Sequence, residues 1–519
     1  MRSIRRNGHL LFLTICLSLV YTVTLAPDIT WANRGDDGGD LIVAAATKGI
    51  PHPSGYPTYI LLAQLIQSLP IGTLAFRTNL LSTLCAVLSA LVVADIVRCF
   101  YGGNIRIGKT AGTIAGLSLG LAPLFWSQAV ITEVYTLNAL FVALILHILL
   151  NGIAHKLTHT WVDRLSGLLF GVALGTQATV AFLLPPLLLS GISKKEKEQG
   201  SMGAKSSRAA LFPSSLAAFF SSKRSVRKFI WILLGLQVYL IIPIRARSGS
   251  PVIWGDPVDW KGFWWLVSGQ YYHWRVFSLP LSHLWTRIQD WVGMLVDQFS
   301  IFGMLLVLWA LLFYWKHTHF RKLHWITVWI ILTYVIFAVG YNTHDAYVLL
   351  IPVIVILSIW MGLGSAALLE ALVRWQNKAT WILPAGVILL VFPVLINAWR
   401  FFLLVDASQD IRATTFGQAV MQTAPQNAII YTLDDADSFT LWYYHFALGG
   451  RPDIAVLQKR LLPEVWYRER MREIYPELII PEESGQTWYL TVMAANPKLQ
   501  NCEITLDKPE VVACRSKGN

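Results

Sequence analysis

Charge is scarce in this sequence. Only 14% of its 519 residues are Asp, Glu, Lys or Arg, against about 25% in an average soluble domain. Acids are scarcest over most of the chain: of 30 Asp and Glu, 15 fall in the last 115 residues and 15 are spread over the first 404. The five cysteines form no CxxC pair, which argues against a zinc ribbon or finger. The net charge of +12 comes as short basic stretches between apolar runs, so no basic face for nucleic acid is indicated. What the sequence does have is hydrophobicity, at 55%. Repeated apolar runs near 20 residues long mark a polytopic membrane protein, whose basic excess reads as cytoplasmic loop charge.

The basic start Arg2, Arg5 and Arg6 precedes an apolar run over about 10–26. A signal peptide begins in a similar way. No small-residue cleavage pattern ends this run, so an uncleaved first helix with its N-terminus inside is expected. Hydropathy and the positive-inside rule then predict eleven spans, with the C-terminus outside. They cover about 10–26, 74–99, 110–125, 134–153, a hairpin of two short helices within 165–192, 229–244, three spans ending near 315, 340 and 370, and 380–404. Gly175-Thr176-Gln177 interrupts the hairpin, which keeps the basic segment after it in the cytoplasm. The fold class expected is mainly α and polytopic over 1–404, with a cytoplasmic basic linker at 193–228. The polar tail, 405–519, reads as a small extracytoplasmic α/β domain. Its expected helices are 407–422, 438–446 and 463–474, and its expected strands 428–433, 454–457, 488–492 and 511–514. Cys502 and Cys514 lie in this tail and are able to pair in an oxidising compartment.

Against that background one stretch concentrates its chemistry. Gly35-Asp36-Asp37-Gly38-Gly39-Asp40-Leu41 is followed by Gly49-Ile50-Pro51-His52-Pro53-Ser54-Gly55-Tyr56-Pro57. The topology puts this first outer loop, 28–57, on the outside, with two short helices at about 40–48 and 56–69 lying at the membrane surface. It shares the outer half with Asp28, Glu133, Arg245, Arg247, Asp256, Asp259, His344 and Asp345. Ionisable groups beside hydrocarbon are costly and usually functional. Converging carboxylates suit a general base, a divalent-cation site held by Asp37 and Asp40, or partners for the arginines. Simpler readings stand beside these. Asp36 or Asp37 would cap the surface helix, His52 would satisfy a turn, and Glu133 would anchor a helix N-terminus. Arg245 and Arg247 would be interface anchors or ligands of a lipid phosphate. The Trp and Tyr cluster from Trp254 to Trp274 would be an interface belt or a sugar platform. Asp437, in Asp434-Asp435-Ala436-Asp437, reads as a helix N-cap.

The two stretches resemble, in order, the signature of a family of polytopic membrane proteins. The family pattern is approximately Gly-Asp-Ser-Gly-Glu-Leu and then His-Pro-Pro-Gly-Tyr-Pro. The family includes a vertebrate endoplasmic-reticulum protein O-mannosyltransferase and many bacterial members. Further matches are Arg77, Asn79-Leu80-Leu81-Ser82, Glu133-Val134-Tyr135-Thr136-Leu137-Asn138, Arg245-Ala246-Arg247-Ser248, Trp254-Gly255-Asp256-Pro257 and Tyr341-Asn342 with His344-Asp345. The resemblance covers about 10–360. It implies a GT-C glycosyltransferase fold that takes a sugar from a polyprenyl-phosphate donor on the outer or lumenal side.

In alignment Asp37 takes the family Asp position and Asp40 the Glu position. Asp36 replaces a glycine, Gly38 a serine and Ser54 a proline. The expectation is an inverting transferase in which Asp37 is the base and Asp40 orients the acceptor, with Asp36 a competing carboxylate. Arg245 and Arg247, with Arg77 and His344, would neutralise the leaving phosphate. His52, Tyr56, Glu133, Tyr135, Asn138, Asp256 and Asp345 complete the substrate site. By the resemblance the sugar is mannose, and the acceptor a protein hydroxyl or an envelope glycan. A rival class is a lipid or sugar flippase without chemistry; another is an envelope scaffold. The expected membrane is a bacterial inner membrane, because the chain is short beside the vertebrate members.

Overall fold

The computed structural model describes residues 2–154, 156–189, 223–375, 381–483, 487–504 and 512–514. The apolar runs form helices where hydropathy places them. Among the described residues, eight helical segments are long and apolar enough to cross a membrane, from Asn7–Thr24 to Leu383–Val405. The chain is thus an integral membrane protein. The other expected spans are shorter. They are the helix Ile105–Gly120, the helix His159–Leu174 and the apolar segment Ala178–Leu188. The break between the last two falls at Gly175-Thr176-Gln177.

Glycines set how closely these helices approach. A Cβ at Gly112 would collide with the carbonyl of Ala94, and one at Gly171 with that of Ile232. The helix from Ile351 to Trp375 runs through the middle of the bundle; 94% of its apolar window is buried. Helices near the outside, such as Leu383–Val405, present most of their surface outward. That surface is apolar, with Leu403 and Trp399 among the most exposed residues, as a bilayer-facing surface requires.

The first outer loop forms two short helices, Gly38–Ala46 and Pro57–Gln67. Both are too short to span. Asn79 pins the start of the loop: its amide donates to the carbonyls of Ala26 and Asp28 and accepts from Thr132. Residues 193–222 of the expected linker lie outside the described residues. Its end, from Lys223, is already helical.

The tail is a four-stranded sheet of order β2-β1-β3-β4. β1 (Ala428–Thr432) pairs in parallel with β2 (Ala455–Gln458) and with β3 (Gln500–Ile504), and β3 pairs antiparallel with β4 (Val512–Cys514). Cys502 and Cys514 form a disulfide between β3 and β4. Two expectations are corrected here. Trp488–Ala495 is a helix, not a strand. A five-residue apolar run does not discriminate between the two, and Met493-Ala494-Ala495 favours helix. The strand position is taken by the polar segment Gln500–Ile504, held by its two neighbours. Asp437 is not the N-cap of the helix Asp435–Trp442; that place belongs to Asp434. Asp437 instead accepts the backbone N–H of Leu433, before the cap.

The two parts meet at the first outer loop. The Trp31 indole donates to the Ala436 carbonyl and to Thr440, and Thr30 and the Trp31 N–H donate to Asp410. The Tyr443 hydroxyl donates to Asp28. Gly39 is what lets the helices Gly38–Ala46 and Asp435–Trp442 touch, because a Cβ there would collide with the backbone of Phe439.

Candidate active site

The site grows from the start of the helix Gly38–Ala46. Asp37 is its N-cap residue, but its side chain makes no capping hydrogen bond. The carboxylate is turned into a cavity instead. Asp40, one turn into the helix, is fully buried. Its Oδ2 accepts both the backbone N–H of His52 at 2.8 Å and the ring Nδ1 at 2.7 Å, and its Oδ1 accepts the Trp254 indole at 3.2 Å. The loop that brings His52 there is tied to the Trp254 loop. Ile50 donates to the Val252 carbonyl, and Trp254 donates to the Ile50 carbonyl. Gly49 permits that approach, since a Cβ would strike the carbonyl of Val252.

With Nδ1 fixed on Asp40, the other ring nitrogen of His52 faces Asp37, at 3.8 Å from its Oδ2. The electrostatics follow. Asp37 opens onto the cavity, with its side chain 42% exposed to it. Burial pushes its pKa up to about 7, helped by the carboxylates of Asp435, Asp345 and Asp40 and opposed by His52. Burial pulls His52 down, but Asp37 and Asp40 outweigh it and carry the imidazole up to about 9. At neutral pH the ring is a cation, held on one side by Asp40 and turned on the other to the Asp37 carboxylate poised near 7. A base is most effective with its pKa near the operating pH. Glu133, buried behind this pair, is held well above the carboxylate range by burial and by Asp37.

The cavity measures about 720 Å³. One wall is the first outer loop with Arg34, Asp36, Asp37, His52 and Tyr56. A second is Tyr135 with Gln177, and a third is Tyr341, His344 and Asp345. The segment 267–276 closes one side with Tyr271, Tyr272 and Arg275. The tail closes the far side with Asp434, Asp435, Gln458 and Arg460. Those residues follow the carboxyl ends of β1 and β2, where open α/β sheets place their ligand crevices. Gln458 donates to Asp435 at 3.0 Å, and Arg460 pairs with Asp434 at 2.7 Å.

The expected site residues divide accordingly. Asp36, Asp37, His52, Tyr56, Tyr135, His344 and Asp345 line the cavity. Asn138 stands one layer back, donating to Gln177. Others lie elsewhere. Asp40 has both oxygens engaged inside the protein, so it positions His52 rather than an acceptor. Arg77 closes the end of the helix Pro57–Gln67 on the carbonyls of Gln67, Ile71 and Gly72. Arg245 is buried against the Gly49 carbonyl and Gln64, and Arg247 lies exposed at the Pro243 carbonyl. Asp256 is on the outer surface near Glu473 and Arg470. None of these five lines the cavity.

The sequence reading missed Arg34, Arg275, Arg460, Asp434, Asp435 and the role of Trp254. Arg275 is the most informative. Its guanidinium lies over the rings of Tyr272 and Trp274, at 5.5 and 4.9 Å, and its buried Nε has no hydrogen-bond partner among the described residues. Trp254 stood in a quoted motif, and Asp434 and Asp435 in a stretch read only for its helix N-cap; Arg34, Arg275 and Arg460 carried no local signal. As for metal, no group of three or more His, Cys, Asp or Glu is arranged to hold an ion among the described residues. Asp40 is turned to His52 and Trp254, so Asp37 and Asp40 do not converge as a ligand pair.

The bundle and its appended sheet define a GT-C architecture. Crystalline ArnT from Cupriavidus metallidurans in the apo state superposes with a TM-score of 0.58 at 14% identity, covering 96% of this chain and 93% of that one. Within that class two segments match known family domains. Residues 37–200 match the Protein O-mannosyl-transferase TMEM260 N-terminal domain, and residues 413–489 match TMEM260-associated domain 2. In these two segments the chain is similar to the TMEM260 family. It is 24% identical over 500 residues to Protein O-mannosyl-transferase TMEM260 of Mus musculus, and 22% identical over 511 residues to the tmem260 protein of Dictyostelium discoideum. Each alignment covers 91% of this chain, but only 65% and 60% of those relatives.

Proposed function

We propose that this chain is an inverting glycosyltransferase that moves mannose from a polyprenyl-phosphate donor to a hydroxyl of an extracytoplasmic protein or glycan. The observation that carries the reading is the cavity carboxylate Asp37 beside the cationic His52. In the transfer the acceptor oxygen attacks the anomeric carbon from the face opposite the phosphate. The bond between that carbon and the phosphate oxygen breaks, and its electron pair leaves with the polyprenyl phosphate. The hydroxyl proton passes to Asp37. Asp40 holds the imidazole, and the His52 cation keeps Asp37 ionised for this task.

Arg275, rather than Arg245 or Arg247, is the cation for the leaving phosphate. It lines the cavity and retains an unused donor. It also sits beside the outward-facing Trp274 and Phe277, 66% and 65% exposed, where an isoprenoid tail has apolar surface to follow. Cationic donors placed where charge develops are a large catalytic lever. Asp435 and Gln458 of the tail face the acceptor. The basic loops support an extracytoplasmic cavity by the positive-inside rule. The Cys502–Cys514 disulfide supports the same side, since disulfides persist in oxidising compartments.

The test uses purified protein, radiolabelled polyprenyl-phosphate mannose and an envelope-protein acceptor, wild type beside Asp37→Asn. Transfer lost only in the variant supports the reading. Equal transfer by both removes Asp37 as the base. Lipid movement across vesicles with no sugar transfer would replace the reading with a flippase.

A further inference from the structure

The break at Gly175-Thr176-Gln177, between the helix His159–Leu174 and the segment Ala178–Leu188, takes no part in the proposed proton and phosphate steps. An interrupted helix in a membrane body is tolerated where protein takes up its backbone groups and where it lines a cavity. Both hold here. The Thr58 hydroxyl donates to the Val172 carbonyl and the Tyr239 hydroxyl to the Leu174 carbonyl, each at 2.7 Å. The Thr58 N–H donates to the Gly175 carbonyl and the Tyr334 hydroxyl to the Thr179 carbonyl, each at 3.0 Å. Gly175 lets Thr58 come this close, since a Cβ there would collide with the Thr58 hydroxyl. The break is therefore fixed from several sides.

What it leaves over is on side chains. Thr179 lines the cavity and is only 8% exposed, and its Oγ1 is buried with no hydrogen-bond partner among the described residues. Gln177 lines the cavity as well. Its Oε1 accepts the Asn138 amide at 2.7 Å, which leaves its Nε2 donor for the cavity. A buried hydroxyl without a partner is costly and calls for an explanation. In a rigid frame beside an open chamber, the explanation is a ligand. Tyr135 and Phe337 stand with these residues on the membrane side of the cavity, all of them neutral, whereas the tail contributes Asp434, Asp435 and Arg460.

We infer that Gln177 and Thr179 form the subsite for the hydroxyls of a neutral hexose carried by the lipid donor, an inference that rests on the transferase reading of the cavity. A hexose offers neighbouring hydroxyls, each both donor and acceptor, to one amide donor and one protein hydroxyl. A neutral wall suits a neutral sugar. The charge of an amino sugar or a uronic acid would be left unpaired there. The donor reaches the cavity from the membrane body, and this is the wall that the membrane body supplies. The charged wall of the tail is left to the acceptor.

The test measures binding of polyprenyl-phosphate mannose, its monodeoxy forms and unglycosylated polyprenyl phosphate to the full chain in detergent, with transfer assayed alongside. Wild type should bind the complete sugar roughly 3- to 10-fold tighter than the monodeoxy forms lacking a bonded hydroxyl, the worth of one neutral hydrogen bond. Thr179→Val should abolish that discrimination at one ring position, and Gln177→Met at a second. Thr179→Ser, which keeps the hydroxyl, should discriminate as wild type does. Affinity for unglycosylated polyprenyl phosphate should stay the same throughout. Thr179→Val should melt no lower than wild type, so it decides alone if Gln177→Met does not fold. No discrimination by wild type, discrimination unchanged at every position in Thr179→Val, or equal weakening for the glycosylated and unglycosylated lipids would each overturn the subsite, whatever the transfer assay gives. Discrimination that moves as expected in a protein that transfers nothing would support the subsite and overturn the transferase reading.

Discussion

Asp40 holds His52 by two hydrogen bonds to a single carboxylate oxygen, one from the backbone and one from the ring. The two residues are therefore one rigid unit, and the ring nitrogen left over has only one direction to face. It faces Asp37. The second acid of the signature is thus placed to act through the histidine, and substitutions should separate the two proposed roles. Asp37→Asn should lower transfer by about 10²–10⁴-fold, the usual worth of a general base. Asp40→Asn should cost less in rate at neutral pH while loosening the loop. Single-turnover rates with preloaded donor measure both.

The pH dependence carries a sign. A base with its pKa near 7 must be ionised to work, so transfer should fall on the acid side with a midpoint near 7. His52 lowers Asp37. Replacing it, as in His52→Gln, should therefore move the acid limb to higher pH. A limb that moves down, or stays in place, would detach His52 from the base.

The same shift has a cost in stability. Asp37 is raised in the folded protein from 3.8 to about 7, so its contribution is fully present below about 3.8 and is lost as pH rises through 7. Asp37→Asn should consequently melt higher than wild type at pH 8 and match it near pH 4. Thermal unfolding in detergent at the two pH values checks this.

Arg275→Gln should raise the donor KM by about tenfold or more, in line with loss of a charge-assisted contact to phosphate. Arg247→Gln should leave donor KM unchanged. Arg245→Gln should lower thermal stability with little effect on donor KM, since its guanidinium serves Gly49 and Gln64. Donor titrations on the three variants give the comparison.

Gly39→Ala should part the helix Gly38–Ala46 from the helix Asp435–Trp442, at about 1–3 kcal/mol, the usual cost of overpacking. Faster protease release of the tail in Gly39→Ala than in Gly38→Ala would register this. A Cβ at Gly38 would meet its nearest neighbour, the Thr132 carbonyl, at 3.3 Å, a contact a small shift relieves.

The helical body and the placing of Asp37, His52, Tyr56 and the 341–345 turn were legible, because hydropathy orders the spans and the acids stand out in an apolar chain. Side-chain direction was not. Arg245 and Arg275 both lie near the ends of apolar or aromatic stretches, and only packing turns one inward to a carbonyl and the other to the cavity. Asp435 and Arg460 were hidden for another reason. They reach the site through a crossover of parallel strands that no local pattern encodes. The strand Gln500–Ile504 was hidden by its polarity, since its place is fixed by β1 and β4 rather than by its own propensity.

The far wall of the cavity comes from residues 434–461 and the near wall from residues 34–56, so more than two thirds of the sequence separates the two halves of one chamber. A ribosome that has delivered the first outer loop has not yet delivered its opposite face. However early the membrane body is inserted, the enclosed chamber does not exist until the sheet has folded and docked through Gly39 and Trp31.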